Sequence, residues 1–579
     1  MKRNLINFLF FFFLAALRAA NPPLLPFPQS FTPLHEDYTI GNSLSDFNTL
    51  PQWVTLIQVG TLPGVPVNQE EAYRLTVTAN KVTIEAVTYK GTYWALQTLR
   101  QLTYKSGNQY KVTGCHILDW PAFRIRGFMH DVGRSYISLE ELKKEIETLS
   151  RYKINVFHWH LTEDQAWRLE SKAFPALNHS DNMTRMPGKY YTMAQARELI
   201  EHCHKHNVLL IPEFDMPGHS AAFVRALGYD MQSPEGLNTV KQLLSEACQL
   251  FADLPYFHIG TDEVEFTNPR FVPEIVNHLR AKGKKVISWT PGWKYNTGEI
   301  DMLQMWSSRA KPHPGIPVID CRLHYINHYD AFADIVALFH SNIAGQQQGS
   351  HDFAGSILAL WNDRLIESEQ DILIQNSFYP AMLTLAERTW RGGGEEYMYT
   401  RGSLLTPVGT KEYHDFVDFE NRLLYHKEHA LQGYPFAYVR QSNVKWRISD
   451  ALPNGGDLTH VFPPEEKEDT TFAYQGNIYH SRPATGASIY LRHVWGNTVP
   501  SFYENPQPNH TAYAWTYVYS SRKQRVGLWA CTQNYGRSEK YLPPPQGKLY
   551  YTDSRIQING QWIDPPVWTA TPSLADNEI

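Results

Sequence analysis

The chain has little that would staple or anchor it. Its five cysteines (Cys115, Cys203, Cys248, Cys321 and Cys531) are scattered over 579 residues with no C-x-x-C pair, which argues against a disulfide framework. No basic run occurs, and a net charge of −5 with both signs interspersed lends nothing to nucleic-acid binding. The apolar run from Leu5 to Leu17 is too short for an ordinary membrane-spanning helix. It follows Lys2 and Arg3 and precedes Ala19 and Ala20, the layout of a secretory signal over residues 1–20, although Leu17 or Arg18 would fill the −3 position of the cleavage site. No cysteine precedes Cys115, so no lipid or other membrane anchor is expected. The protein is expected to be soluble and exported, periplasmic or secreted.

Aromatic residues, by contrast, make up 13% of the chain and include sixteen tryptophans. Sugar-binding surfaces use such rings as platforms for the apolar faces of pyranoses, but a lone tryptophan is more often core. Asn178, Asn182 and Asn509 sit in N-x-S/T triplets, which matter only where the source cell glycosylates them.

Length calls for several domains. After the signal, residues 21–120 read as a small α+β domain: "AYRLTVTANKVTIEAVTYKGTYWALQTLRQL" gives two alternating strands and a helix beginning near Gly91. Over 121–410 the pattern changes to repeated strand-then-helix units. The strands are "RGFMHDVGR", "INVFHWHL", "VLLIPEFD", "YFHIGTDE", "KKVISWT", "MLQMWSS", "VIDCRLHYIN" and "GSILALWND". Eight strands across about 270 residues fit an α/β (β/α)8 TIM barrel. A doubly wound sheet is the alternative, but it would not need a polar or aromatic residue at the end of every strand. Residues 411–440, which open with "KEYHDFVDFENRLLYHKEHAL", read as a helical connection. Residues 441–579 read as a β-rich accessory domain, with strand-like "ASIYLRHVW", "AYAWTYVYSS" and "RVGLWACTQ".

The strand ends carry the chemistry. In order they present Asp131 and Arg134; His158, His160, Glu163 and Asp164; Asp215 with His219; Asp262 and Glu263; Trp289; Trp306; Tyr325 and Asn327; and Trp361 with Asp363. Catalytic groups of such barrels stand at the C-terminal mouth and come from several strands. Acids, one arginine and aromatics in register point to a saccharide pocket. Asp262 and Glu263 alone could be helix-capping acids, but adjacent acids at a core strand end, seen with the other seven ends, suit catalysis better.

The stretches "RGFMHDVGRSY", "INVFHWHLTEDQAWRLE", "IPEFDMPGHS", "HIGTDEV", "ALW" and "YPAMLTLAERTW" resemble glycoside hydrolase family 20, the β-N-acetylhexosaminidases. The preceding "YRLTV" and "GTYWALQTLRQL" resemble that family's small N-terminal domain, so the likeness covers roughly residues 25–400. It implies exo-acting release of terminal GlcNAc or GalNAc with retention at C1. The attack on C1 is made by the substrate's own 2-acetamido group, and family 20 is one of the substrate-assisted exceptions among retaining enzymes.

By that resemblance Asp262 orients the acetamide N–H, and Glu263 is the general acid and base. Its pKa is expected to be raised by the Asp262 charge and by partial burial. Arg134 and Asp363 would hold the 3- and 4-hydroxyls, although the family more often has Glu at the latter position. Trp289, Trp306 and Trp361 would form the acetamide pocket and stacking floor, and Tyr325 would bind the acetamide carbonyl. His219 would support Glu263, backed by Glu163 or Asp164, with Glu163 favoured; the family usually has two Asp there. Asn327 stands where the family commonly has Asp. With His328 beside it, it suggests room for an anionic 6-substituent such as 6-sulfated GlcNAc, the alternative being a neutral-substrate enzyme. No cofactor is implied. His202 and His206 have a zinc-compatible i, i+4 spacing in "HCHKH", but no third ligand is visible and they read as surface histidines, so no metal is expected. Two other readings remain open at this point: a non-catalytic glycan-binding protein on such a barrel, and a conventional retaining β-glycosidase with a protein nucleophile.

Overall fold

The computed structural model describes residues 22–326, 333–363, 365, 368–493, 498–525, 546–548, 554–565 and 567. The signal-like segment, Asn327 with His328, and Cys531 lie outside the described residues. Among the described residues the other four cysteines are buried and free, and no helix is long and apolar enough to cross a membrane.

The chain divides into two compact units, residues 1–122 and 123–579. In the first, the antiparallel strands Tyr73–Val77 and Val82–Ala86 alternate buried and half-buried residues, as period-two side chains on a one-sided sheet require. They lie within a five-stranded sheet. Helix Tyr89–Leu102 follows, with the Thr88 side chain accepting from Lys90 N at its start. Gly91 lets that helix approach the chain: a Cβ there would stand 2.2 Å from the Ala72 carbonyl oxygen.

In the second unit eight parallel strands close into a barrel. They are β1 (Ile125–Asp131), β2 (Val156–His160), β3 (Leu209–Met216), β4 (Tyr256–Gly260), β5 (Lys285–Thr290), β6 (Met302–Met305), β7 (Val318–Asp320) and β8 (Phe353–Leu360). Ile125, Met129, Val156, Ile211, Ile287, Met302, Ile319 and Ile357 form one buried cluster, against which Tyr256 of β4 packs. Parallel strands covered on both faces bury nearly every residue, and β1 and β2 are buried throughout.

Helices α1 (Leu139–Arg151) and α2 (Met193–Lys205) follow β1 and β2. Leu142, Ile146 and Leu149 of α1 recur at helical spacing and are fully buried. Ser138 caps α1 by accepting from Glu141 N, and Thr192 and Gln195 form a capping box on α2. Pro234–Leu250, Phe271–Ala281 and Ala333–His340 are further helices, and Phe378–Arg391 packs behind β8 and β1. The repeat departs from strict alternation at "PGWKYNTGEID" and "WSSRAKPHPGIP": residues 291–301 and 306–317 join β5 to β6 and β6 to β7 without a helix, as prolines and glycines in such short connections favour.

Helix Lys411–Glu428 follows the barrel, and its Glu420 accepts from Tyr438 Oη at 2.8 Å and from Ser442 N at 3.2 Å. Beyond it Thr471–Tyr474, Asn477–Thr485, Lys445–Ser449 and Ala514–Thr516 form a four-stranded antiparallel sheet in that order. Of the three segments expected as strands here, "AYAWTYVYSS" is strand only over Ala514–Thr516. Residues 487–493 are irregular, and most of "RVGLWACTQ" lies outside the described residues.

Candidate active site

The ends of β1, β2 and β8 meet on one guanidinium. Arg134 places Nη1 2.8 Å from Asp131 Oδ2 and Nη2 2.7 Å from Glu163 Oε1, with Nε 3.9 Å from Asp363 Oδ1. Its Cζ stands 5.2 Å from the centre of the Trp361 ring. Burial opposes the charge, but Glu163, Asp131 and Asp363 outweigh it and keep Arg134 protonated. Asp131 is positioned in turn by Arg134 N at 3.0 Å and Asn362 N at 3.1 Å.

From Glu163 a line of polar groups runs to Glu263. His219 Nδ1 is 3.2 Å from Glu163 Oε2, and His219 Nε2 is 3.4 Å from Glu263 Oε2. Burial disfavours a charged His219, but Glu163 and Glu263 on either side push its pKa up to about 12. Burial would raise Glu163; Arg134, with His160 and His219, holds it well below the usual carboxylate range. Asp164 turns away: it is exposed and its Oδ1 accepts from Ala221 N at 3.0 Å.

The two neighbouring acids differ in the order opposite to the expected one. Glu263 is lowered, first by its hydrogen bond to His219 and against modest burial; its side chain is 54% exposed. Asp262 is raised to about 7, first by burial; His219 opposes the rise, and the Glu213 and Glu263 charges add to it. The expectation took the Asp262 charge to dominate at Glu263, whereas His219 is the partner that sets it. Asp262 Oδ1 is buried and has no hydrogen-bond partner among the described residues.

The turn that carries the pair is unusual backbone. Gly260, Thr261 and Glu263 have φ of +65°, +79° and +48°, and His219 has +47°. Non-glycine residues held there cost on the order of 1–3 kcal/mol each and cluster at functional sites. Gly260 is required twice over, since a Cβ would lie 1.7 Å from Asp215 Oδ1.

Trp306 and Trp361 are partly buried, Trp306 donating from Nε1 to the Pro291 carbonyl at 2.8 Å. Tyr325 stands 5.8 Å from Trp361, ring to ring, and burial raises its hydroxyl well above the ordinary value. Trp289, expected as a pocket wall, is 1% exposed and packs in the barrel core. Its Nε1 donates to Glu213 Oε1 at 2.7 Å, which draws the ring below the mouth. Asn327 lies outside the described residues.

Sequence reasoning left Glu213 without a role. It accepts at the barrel centre from Trp289, with His258 Nδ1 at 2.9 Å, His158 Nε2 at 2.8 Å and His160 Nδ1 at 2.6 Å. His160 Nε2 lies 3.5 Å from Glu163 Oε1, so this buried layer touches the line leading to Glu263. Its signal was the period-two placement of His158 with His160 and of Glu213 with Asp215, which aims polar residues inward. The buried Arg168 was also missed: it donates to the carbonyls of Val132, Gly133, Arg185 and Lys189 at 2.7–3.2 Å and moulds the loop beside Arg134.

Fold and site together define a (β/α)8 barrel with carboxylates, a guanidinium and aromatic rings at its C-terminal mouth. Residues 123–229 match the sequence profile of "Glycosyl hydrolase family 20, catalytic domain", and residues 47–120 that of "Glycosyl hydrolase family 20, domain 2". A β-hexosaminidase of Porphyromonas gingivalis is 28% identical over 450 residues, covering 63% of this chain and 54% of that protein. A β-N-acetylhexosaminidase of Cellulomonas fimi is 30% identical over 285 residues, covering 44% and 58%. The chain thus spans little more than half the length of these relatives. Among solved structures, a Vibrio harveyi family 20 exo-β-N-acetylglucosaminidase in complex with N-acetylglucosamine shares the fold with a TM-score of 0.59 at 23% identity, covering 72% of this chain and 78% of that one. Over residues 47–229 the chain is thus similar to glycoside hydrolase family 20.

Proposed function

We propose that the protein is an exo-acting, retaining β-N-acetylhexosaminidase that releases terminal GlcNAc from β-linked glycans by substrate-assisted catalysis. The carrying observation is the pairing of Asp262, buried with Oδ1 lacking a partner among the described residues, and Glu263, half-exposed and joined to His219. A substrate amide N–H would supply the partner that Asp262 lacks. In the first step the acetamide oxygen bonds to C1, the glycosidic C1–O bond breaks, and Glu263 gives a proton to the leaving oxygen. Water then attacks C1, returns a proton to Glu263 and opens the oxazolinium ring.

The charge order of the site fits this sequence. His219 holds a proton 3.4 Å from Glu263, and a sugar covering Glu263 would strip its water and raise its pKa. The proton would then pass to Glu263 as substrate binds. Asp262, titrating near 7 in the free site, would be drawn into its ionised form by the developing positive charge on the acetamide nitrogen.

A conventional retaining glycosidase needs a second carboxylate about 5 Å across the sugar from the acid. Asp131, Glu163 and Asp363 all face Arg134, and Asp215 is buried. The relatives' names, and the N-acetylglucosamine in the Vibrio structure, support the same substrate class. Export remains part of the proposal, resting on the N-terminal sequence.

The test is hydrolysis of 4-nitrophenyl N-acetyl-β-glucosaminide by the wild type and Glu263→Gln. Turnover by the wild type that collapses in the variant supports the reading. Absence of turnover in both, with sugar binding intact, would favour the glycan-binding alternative. The galactosaminide and the 6-sulfated glucosaminide, run alongside, would show whether GalNAc or an anionic 6-substituent is accepted.

A further inference from the structure

The pair set aside as surface histidines gains a third ligand in the fold. His202 lies in α2 and His206 caps its C-terminus, with ring centres 4.5 Å apart. Both are largely buried, their side chains 14% and 5% exposed. Glu147 of α1 brings Oε1 to 3.8 Å from His202 Nε2 and 3.9 Å from His206 Nε2. The three ligand atoms lie within 4.8 Å of one another.

These separations are too long for hydrogen bonds between Glu147 and the rings. They are close to the spacing of about 3.4 Å between neighbouring ligands of a tetrahedral ion with bonds of about 2.0–2.1 Å. A small rotation of Glu147, whose side chain is 40% exposed, would close the difference. Arg151 Nη2, 3.4 Å from Oε2, holds the other oxygen and leaves Oε1 turned toward the imidazoles. The Lys143 ammonium is engaged by Glu140 and Glu198, and without an ion His202 Nε2–H donates to the Lys143 carbonyl at 3.1 Å, a hydrogen bond that an ion would replace, with the ring proton moving to Nδ1.

We propose that Glu147, His202 and His206 form a site for zinc, or another imidazole-preferring divalent transition ion, that clips α1 to α2. Two imidazoles and one carboxylate suit Zn²⁺, whereas Mg²⁺ and Ca²⁺ favour all-oxygen sets. Water would complete the coordination on the Glu147 side. The C-terminal ends of α1 and α2 feed the N-terminal ends of β2 and β3, so the clip lies at the end of the barrel opposite Asp262 and Glu263. The two helices already meet there, with Ser150 Oγ donating to the His206 carbonyl at 2.8 Å.

The full-length protein, freed of metal by chelator and dialysis, is titrated with zinc chloride by calorimetry and with cobalt(II) by visible absorption. The wild type is expected to bind, with a cobalt d–d band and a zinc-dependent rise in Tm. Glu147→Gln should weaken binding about tenfold or more, and the double variant H202Q/H206Q should abolish this site and the rise in Tm, both keeping the wild-type circular dichroism. No wild-type binding would overturn the proposal. So would equal binding by wild type and variants, which would place the ion at another cluster such as Glu163, Asp164 and His219. Should the double variant misfold, Glu147→Gln, altered at a half-exposed side chain, decides by the same comparison.

Discussion

At the scale of single residues, the informative contrast is between two adjacent carboxyls in unlike surroundings. Glu263→Gln is expected to lower kcat on the aryl glucosaminide by about 10² to 10⁴-fold, the range for loss of a general acid, read from steady-state rates. Asp262 makes a separate prediction about stability. Its folded pKa is raised to about 7, so between the ordinary aspartate value and about 7 the folded chain holds a proton that the unfolded chain has released. The resulting stability is complete below the ordinary value and is lost as pH rises through about 7. Asp262→Asn should therefore raise Tm relative to wild type at pH 8 and change it little at pH 4; equal effects at both pH values would contradict that ordering. Sequence made the two acids visible but not their order. The deciding group, His219, is 44 residues upstream in sequence and reaches Glu263 only through the fold.

At the scale of elements, strand ends do the positioning. Arg134 ties the ends of β1, β2 and β8 through Asp131, Glu163 and Asp363. Arg134→Met would leave buried carboxylates unpaired, and a loss of about 3–5 kcal/mol is expected, measured by urea unfolding. Gly260→Ala should be comparably damaging, because its Cβ would displace Asp215 and the residue would keep a positive φ. About 3 kcal/mol is expected, with activity lost alongside. The barrel strands were legible because short apolar runs ending in polar residues, several followed by an amphipathic helical stretch, leave few alternatives. The missing helices between β5 and β7 had a signal in their proline and glycine content. Trp289 had none: its descent into the core follows from the Glu213 carboxylate, a contact between β3 and β5 that no local pattern encodes.

At the scale of the molecule, the barrel gathers residues from Asp131 to Asp363 around one mouth and leaves a His–Glu layer beneath it. A sequence reader finds the members of such a site one strand at a time. Long-range partners such as Glu147 with His202 and His206 emerge only when α1 and α2 are packed side by side. The central claim is that the nucleophile belongs to the substrate, and it is tested most directly by comparing kcat/KM for 4-nitrophenyl N-acetyl-β-glucosaminide and 4-nitrophenyl β-glucoside. A preference of about a thousandfold or more for the 2-acetamido substrate is predicted, since the acetamide supplies an attacking group already in place. Equal kcat/KM on the two glycosides would contradict it.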